Sequence, residues 1–370
     1  MNTIRYVLLS ISILGITACG SYSKEDLTPT SEAEMGIVDQ PLNVILMIAD
    51  GAGLSQISAS QFYNPLPSNY DRFTHIGLIK TPSSSDLITD SAAGATAFAS
   101  GIKTYNGAIG VNKDTIKVPT ILEELSRKGY ATGVIATSTI THATPASFYA
   151  HAKSRRMEED IASQLVTSPV DFFAGGGRTF FDNRKDGKNL LLDLQSNGFE
   201  VETNSLRTLT NSITDRKYAF LLAPKGMPKV EEGRGSFLKD ATQLGIHHLS
   251  ANTNGFFLMV EGSQIDWGGH ANDGNYLITE MIDFDTTLGY VLDYAQQHPN
   301  TLVVVTADHE TGGFTLSSND GDYNKLLPSF STGGHSATMV PVFAYGPGAE
   351  TFAGVYENTA IYHKLKALLK

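Results

Sequence analysis

The chain has 370 residues, 41% of them hydrophobic and 18% charged, which is the composition of a globular protein with material for a sizeable core. That length fits one large domain, or one domain carrying an inserted subdomain. A net charge of -11 and a pI near 5.3 exclude a general nucleic-acid binder, which needs clustered Lys and Arg, but leave room for a small anionic substrate whose charge is met by metal ions.

At the amino terminus, Arg5 precedes an apolar stretch over residues 7–16 and then Ile16-Thr-Ala-Cys19. A stretch that short does not span a bilayer, and residues 1–18 read as an export signal. It resembles a bacterial lipoprotein signal, which would make Cys19 the lipid-modified first residue of the mature protein and place an anchored protein on the periplasmic or outer side of a membrane. The alternative is a plain signal peptide with an incidental cysteine. Cys19 is the only cysteine, so no intramolecular disulfide can form despite export. Residues 19–40 are Ser/Thr/Glu-rich and read as a flexible tether, leaving 41–370 as the folded domain.

Residues 43–48 (Asn-Val-Ile-Leu-Met-Ile) predict a buried strand ending at Asp50-Gly-Ala-Gly53, followed by a helix over 55–62. Residues 75–81 predict an edge strand. The small-residue stretch Thr89-Asp-Ser-Ala-Ala-Gly-Ala-Thr-Ala97 predicts a helix starting at Asp90 or Ser91, its free amides able to meet an anion. Ser91 is then a candidate nucleophile, although from this stretch alone a plain helix cap is the better explanation of Asp90 or Ser91. A short amphipathic helix over 120–128 and a strand over 131–136 deliver Thr141-His-Ala-Thr-Pro145. The helix expected after Pro145 carries His151, Arg155 and Arg156, of which one arginine could fork onto phosphate.

The segment 168–254 carries fewer signals: strands over 170–174 and 218–223, helices over 190–197 and 236–250, and His247 and His248 without a partner motif. Residues 256–260 then form a strand ending at Glu261-Gly-Ser-Gln-Ile-Asp266, and Asp266 and His270, four apart, share one face of a helical turn at a spacing suited to a metal. A helix over 281–296 precedes the β-branched run 302–306, which ends in Asp308-His309. Gly333-Gly-His335 is a loop entering a strand over 339–344, and 359–369 is a terminal amphipathic helix.

Asp50, Glu261, Asp266, His270, Asp308, His309 and His335 thus fall at the ends of buried strands, where open α/β sheets place their ligands. A mixed Asp/His set suits zinc or a similar ion, and an oxygen-rich set with Thr144 and Glu261 suits magnesium. Such sites permit in-line phosphoryl transfer, with Arg neutralising the phosphoryl oxygens. No Gly-x-Ser-x-Gly relay motif accompanies Ser91, so a metal is the candidate activator of its hydroxyl.

Asp50-Gly-Ala-Gly, Thr89-Asp-Ser-Ala-Ala-Gly-Ala-Thr-Ala, Glu261-Gly-Ser-Gln-Ile-Asp, Thr306-Ala-Asp-His-Glu and Gly-Gly-His335, in this order, resemble the alkaline phosphatase family. The resemblance runs from about residue 43 to about 346. It implies an α/β three-layer sandwich with a central, mostly parallel sheet flanked by helices, and hydrolysis of phosphate monoesters through a phosphoserine. By that resemblance Ser91 is the nucleophile. Asp266, His270 and His335 hold one zinc, Asp50, Asp308 and His309 hold the zinc that ionises Ser91, and Asp50, Thr144 and Glu261 hold magnesium. Arg155 grips the phosphate, with Arg156 as the fallback. The sequence departs from the best-known bacterial pattern in the outer shell of the third metal, where His142 replaces an Asp and Trp267 a Lys, as in other branches of the family. That change opens the third position to magnesium or to cobalt as a substitute. The short segment from His309 to His335 implies a reduced crown insertion, and homodimerisation is an expectation from the family. Phosphodiesterase and sulfatase relatives typically present Thr, or a modified Cys or Ser in a Cys/Ser-x-Pro-x-Arg setting, and Asp90-Ser-Ala-Ala fits neither. A lipoprotein that binds metal or phosphate without turnover is the alternative from another class.

Overall fold

A computed structural model describes residues 42–207 and 216–369. The export signal, Cys19 and the tether lie outside the described residues. In chain order the elements are β1 (Asn43–Ala49), α1 (Leu54–Tyr63), β2 (His75–Lys80), α2 (Ser91–Ser100), α3 (Ile121–Arg127), β3 (Ala131–Thr139), α4 (Ala143–Tyr149), α5 (Glu158–Thr167), β4 (Phe172–Gly176), α6 (Thr179–Asp182), α7 (Leu190–Ser196), β5 (Phe199–Glu202), β6 (Lys217–Ala223) and α8 (Phe237–Leu249). They continue with β7 (Phe256–Gly262), α9 (Gln264–His270), α10 (Gly274–Gln297), β8 (Thr301–Thr306), β9 (Glu310–Thr311), β10 (Thr315–Asn319), β11 (Asp322–Ser329), β12 (His335–Ser336), β13 (Val340–Tyr345), β14 (Gly354–Glu357) and α11 (Ala360–Leu368).

Ten strands form one sheet in the order β14-β2-β13-β8-β1-β7-β3-β4-β6-β5. β13 runs antiparallel to both its neighbours, and every other pairing is parallel. The central strands are buried on both faces, which is why they read as unbroken apolar runs rather than alternations. Along β7 the faces separate by parity: Phe256 packs on Tyr294 of α10, while Phe257 meets Phe148 of α4. Helices α8 and α10 therefore cover one side of the sheet, and α4, with α2 and α3 against it, the other. This is the predicted three-layer α/β arrangement.

Register sets the active edge. Ile48 of β1 pairs with Thr306 of β8 and with Glu261 of β7, and Ala136 of β3 pairs with Glu261. Asp50 and Asp308, each two residues beyond a paired position, therefore leave the sheet at one level, next to Glu261.

The structure corrects several expectations. β2 is not the edge strand, because the short β14 pairs outside it. No helix carries His151, Arg155 and Arg156: α4 ends at Tyr149, Ala150 is extended, and Ala152 bridges to Ile109, so all three residues lie in a loop. α10 starts at Gly274, seven residues earlier than predicted, because Asp273 caps it by accepting from Asn275 and Tyr276 amides. His335 belongs to the two-residue strand β12, paired with β9. The insertion between His309 and His335 is one hairpin, β10–β11. His248 is buried edge-on against Tyr218, a packing residue as expected, and His247 is exposed. Among the described residues no helix is long and apolar enough to cross a membrane.

One buried ion cluster stabilises the layer behind the site. The fully buried Arg234 guanidinium meets Glu280 and Asp283 of α10, and Glu280 also accepts from the Val230 amide. This pins the segment that begins at Gly226, whose backbone lies so close to Trp267 that a Cβ there would stand 2.7 Å from the indole ring. Glu280→Ala leaves the buried cation half-paired and is expected to cost about 3 kcal/mol, read as a lowered urea midpoint.

Candidate metal centre and nucleophile

The site lies beyond the carboxyl ends of β1, β3, β7 and β8. Ser91 is the first residue of α2, and its amide and that of Ala92 precede any partner an α-helix can offer. Asp90 caps the helix by accepting from the Ala93 amide at 3.0 Å. All ten residues of α2 are buried, and Gly94 allows the close approach: a Cβ there would stand 3.0 Å from Asp308 Cβ. Asp90 and Ser91 thus play both parts the sequence left open, cap and candidate nucleophile.

Three groups of side chains converge. In the first, His270 Nε2 lies 3.1 Å from His335 Nε2 and 3.4 Å from Asp266 Oδ1, and His335 Nε2 lies 3.5 Å from the same oxygen. His270 Nδ1 faces Gly333 O at 2.8 Å and His335 Nδ1 faces Thr89 O at 2.9 Å. A carbonyl only accepts, so each Nδ1 carries the proton and both Nε2 lone pairs point at each other and at a carboxylate. Three electron-rich atoms in that arrangement call for a cation, and their spacing matches the roughly 3.3 Å edge of a tetrahedron around an ion bound at about 2.0–2.1 Å.

The second group is Asp50, Asp308 and His309, all fully buried, with His309 Nε2 3.5 Å from Asp50 Oδ1 and 3.3 Å from Asp308 Oδ2. The same Nε2 is 3.2 Å from Ser91 Oγ. Burial, then the negative charge of Asp308, Asp266 and Glu261, pushes the Asp50 carboxyl well above its usual range, and burial raises Asp308 as well. Burial, together with His335, pulls His309 well below an ordinary histidine.

The third group is Asp50, Glu261 and His142. Burial lifts Glu261 to about 7 and pulls His142 down to about 3, the latter helped by Arg155. Thr144 Oγ1 is buried beside them, and neither it, Glu261 Oε1, Asp308 Oδ2 nor either Asp50 oxygen has a hydrogen-bond partner among the described residues. Orphaned, buried carboxylate oxygens at this density are what bound cations satisfy. The donor sets therefore fit metal ions in all three places.

Arg155 points inward, giving Nη1 to Asp90 Oδ2 and Nη2 to His142 Nε2, each at 3.1 Å, whereas Arg156 is exposed. Trp267 stands edge-on to His142, ring centres 6.0 Å apart. His151 turns away, bound to Gly110 O and Glu123.

The structure adds residues that sequence reasoning missed. Thr311 lies between the first two groups. Gln56 gives its side-chain amide to Glu310 at 2.7 Å and to Thr311 O at 3.0 Å, and Glu310 also accepts from the Phe314 amide and Ser336, clamping β9 and β12 together. Glu310 closes the motif Thr306-Ala-Asp-His-Glu and could have been singled out there, whereas Gln56 within α1 and Thr311 beyond the motif carry no local signal of the contacts they make.

A parallel α/β sheet whose central strands end in three adjacent cation-binding groups beside a serine and an inward arginine defines a metal-dependent hydrolase. A family model for alkaline phosphatase matches residues 42–328 and 324–370. Alkaline phosphatase 3 of Bacillus subtilis (strain 168) is 34% identical over 96% of this chain and 95% of its own, and the Escherichia coli (strain K12) alkaline phosphatase is 31% identical over 96% and 92%. Alkaline phosphatase from the Antarctic bacterium TAB5 superposes with a TM-score of 0.88 at 54% identity, covering 89% of this chain and 98% of that one. A His-to-Asp variant of the TAB5 enzyme is described with Mg bound in its M3 site. The chain belongs to the alkaline phosphatase family, and it is a phosphatase that uses a metal cofactor.

Proposed function

We propose that this phosphatase hydrolyses small phosphate monoesters through a phosphoserine at Ser91. The observation that carries the reading is the position of Ser91 Oγ, 3.2 Å from His309 Nε2 and at the mouth of a helix whose first amides are unclaimed. Asp266, His270 and His335 would hold one zinc ion, Asp50, Asp308 and His309 a second, and Asp50, Thr144 and Glu261 a magnesium ion, with cobalt as a substitute. Bound there, the ions would supply the charge that makes the serine hydroxyl and then water nucleophilic and that offsets the phosphoryl oxygens.

The protein's own groups do the positioning. The burial-depressed basicity of His309 argues against a Ser-His base pair, since an imidazole far below its normal pKa is a weak proton acceptor. Its Nδ1 also faces a threonine hydroxyl instead of the carboxylate that a relay would use. Asp90 orients Arg155 for the phosphoryl oxygens and caps α2 with its other oxygen. Acid quenching during turnover of p-nitrophenyl phosphate, followed by peptide mapping, is expected to place phosphate on the peptide carrying Ser91. Phosphate on any other residue would contradict the assignment.

Arg155→Ala is expected to lower kcat/KM by about 100-fold, the usual cost of removing one donor aimed at developing charge, and Arg156→Ala to leave it within about twofold. The reverse ranking in steady-state kinetics would transfer the role to Arg156.

For the amino terminus we propose a lipid-anchored protein exported to the periplasmic or outer side of a membrane through Cys19, and for the assembly a homodimer. Cys19→Ser is expected to move the protein from the membrane fraction to the soluble fraction, and unchanged partitioning would remove the anchor.

A further inference from the structure

Thr311 occupies the point where the first two ligand groups meet. Its hydroxyl is 2.6 Å from Asp266 Oδ1 and 3.2 Å from His309 Nδ1. A hydroxyl has one proton, and a carboxylate oxygen can only accept it, so the proton goes to Asp266. His309 Nδ1 must then be the donor to Thr311 Oγ1, which leaves Nε2 bare and facing Asp50, Asp308 and Ser91. One proton therefore fixes the orientation of a carboxylate in one group and the tautomer of a histidine in the other.

The backbone holds that hydroxyl in place. The Thr311 amide donates to Gly51 O at 3.0 Å, its carbonyl accepts from Gln56, and its Cα is paired with His335 across β9 and β12. Gly51 sits at φ +79, and a Cβ on it would lie 2.7 Å from Asp266 Cα and 2.9 Å from Thr311 Oγ1, so the chain after Asp50 comes close to both partners because it bears no side chain there. The Thr311 methyl fills the space over Gly269.

We propose that Thr311 is the positioning residue that couples the two zinc-binding groups, so that filling one orders the shared hydroxyl and prepares the other. This rests on the reading of those groups as metal sites. An ion held by Asp266, His270 and His335 immobilises the carboxylate to which the hydroxyl donates; the hydroxyl in turn holds the His309 tautomer that the second group requires. The ordering cost is met once, and the second ion binds more tightly than the first. Loss of a hydrogen bond that orients a ligand typically weakens metal binding by about 10- to 100-fold, and here one hydroxyl serves ligands of both groups.

The test is a competition titration of the metal-free full-length protein with zinc against a chromophoric chelator, for the native chain, Thr311→Val and Thr311→Ser. Valine keeps the methyl over Gly269 and the backbone bonds but has no hydroxyl; serine restores the hydroxyl. The native chain is expected to take up its two tightest equivalents cooperatively. Thr311→Val is expected to bind both about 10- to 100-fold more weakly and without cooperativity, and Thr311→Ser to recover both properties. Native affinity in Thr311→Val, or a Thr311→Ser as impaired as the valine variant, would overturn the proposal. Independent binding in the native chain would also overturn it. A native chain that takes up no zinc would instead defeat the metal assignment itself, which separates the two failures.

Discussion

Removing the metal ions is expected to abolish turnover and to leave a folded but weakened protein. Asp50, Asp308 and Glu261 are fully buried and crowd their charges together, with oxygens that no protein group satisfies. Without cations the native state lowers that repulsion by keeping protons on them, which is why their pKa values stand above the ordinary carboxylate range. The consequence for stability follows from linkage. Where the native state holds more protons than the unfolded chain, stability falls as pH rises. For Glu261 the contribution is fully present below its unfolded value near 4.5 and is lost as pH rises through about 7. Burial holds His142 and His309 below an ordinary histidine, and these work in the opposite direction over the same window. The Glu261 contribution is therefore read as the difference between the metal-free native chain and metal-free Glu261→Gln, which should gain on the native chain as pH rises from about 5 to about 7. Dialysis of both chains against EDTA followed by thermal melts at several pH values checks this; a difference between them that stays constant from pH 5 to 7 would contradict it. Activity is expected to return with zinc plus magnesium or cobalt, and zinc alone restoring full activity would remove the need for the third group.

Ser91→Ala is expected to lower kcat/KM for p-nitrophenyl phosphate by on the order of 10⁴-fold or more, since loss of a covalent nucleophile removes the step that the rest of the site serves. The fold should be indifferent. Ser91 is the first residue of α2, the cap is Asp90, and alanine is a good helix former whose Cβ occupies the same buried place. An unchanged melting temperature beside the lost rate would separate chemistry from stability, and the metal groups, which do not include Ser91, should fill as before.

The site was legible where a physical constraint ties it to a local pattern. Strands β1, β7 and β8 are buried on both faces, so their sequences are apolar runs, and the first polar residues after them had to be at the carboxyl edge of the sheet. Asp266 and His270 could be paired because a helical turn brings residues four apart together. Recognition of the family motifs then separated the candidate ligands into groups whose side chains the structure brings together. What stayed hidden depends on contacts between distant segments. The run from His151 to Arg156 resembles one polar helix face, and contacts with distant segments keep it out of a helix: the bridge between Ala152 and Ile109, the Gln164 side chain on the His151 backbone, and the Arg155 amide on Gly107 O. Helix α5 was passed over although Glu158, Glu159 and Asp160 crowd its first turn, and β5 and β14 are four-residue edge strands with too few apolar positions to show a period. Thr311 bonds to Asp266, 45 positions away, and nothing in the residues around it marks that partnership.

Metal content and turnover, measured on the same preparations of the native chain and Ser91→Ala, test the roles of the serine and of the metal groups together. Equal zinc and magnesium in both, with hydrolysis of p-nitrophenyl phosphate in the native chain alone, is the expected result. Native rates in Ser91→Ala, or no turnover by the metal-replete native chain, would contradict it.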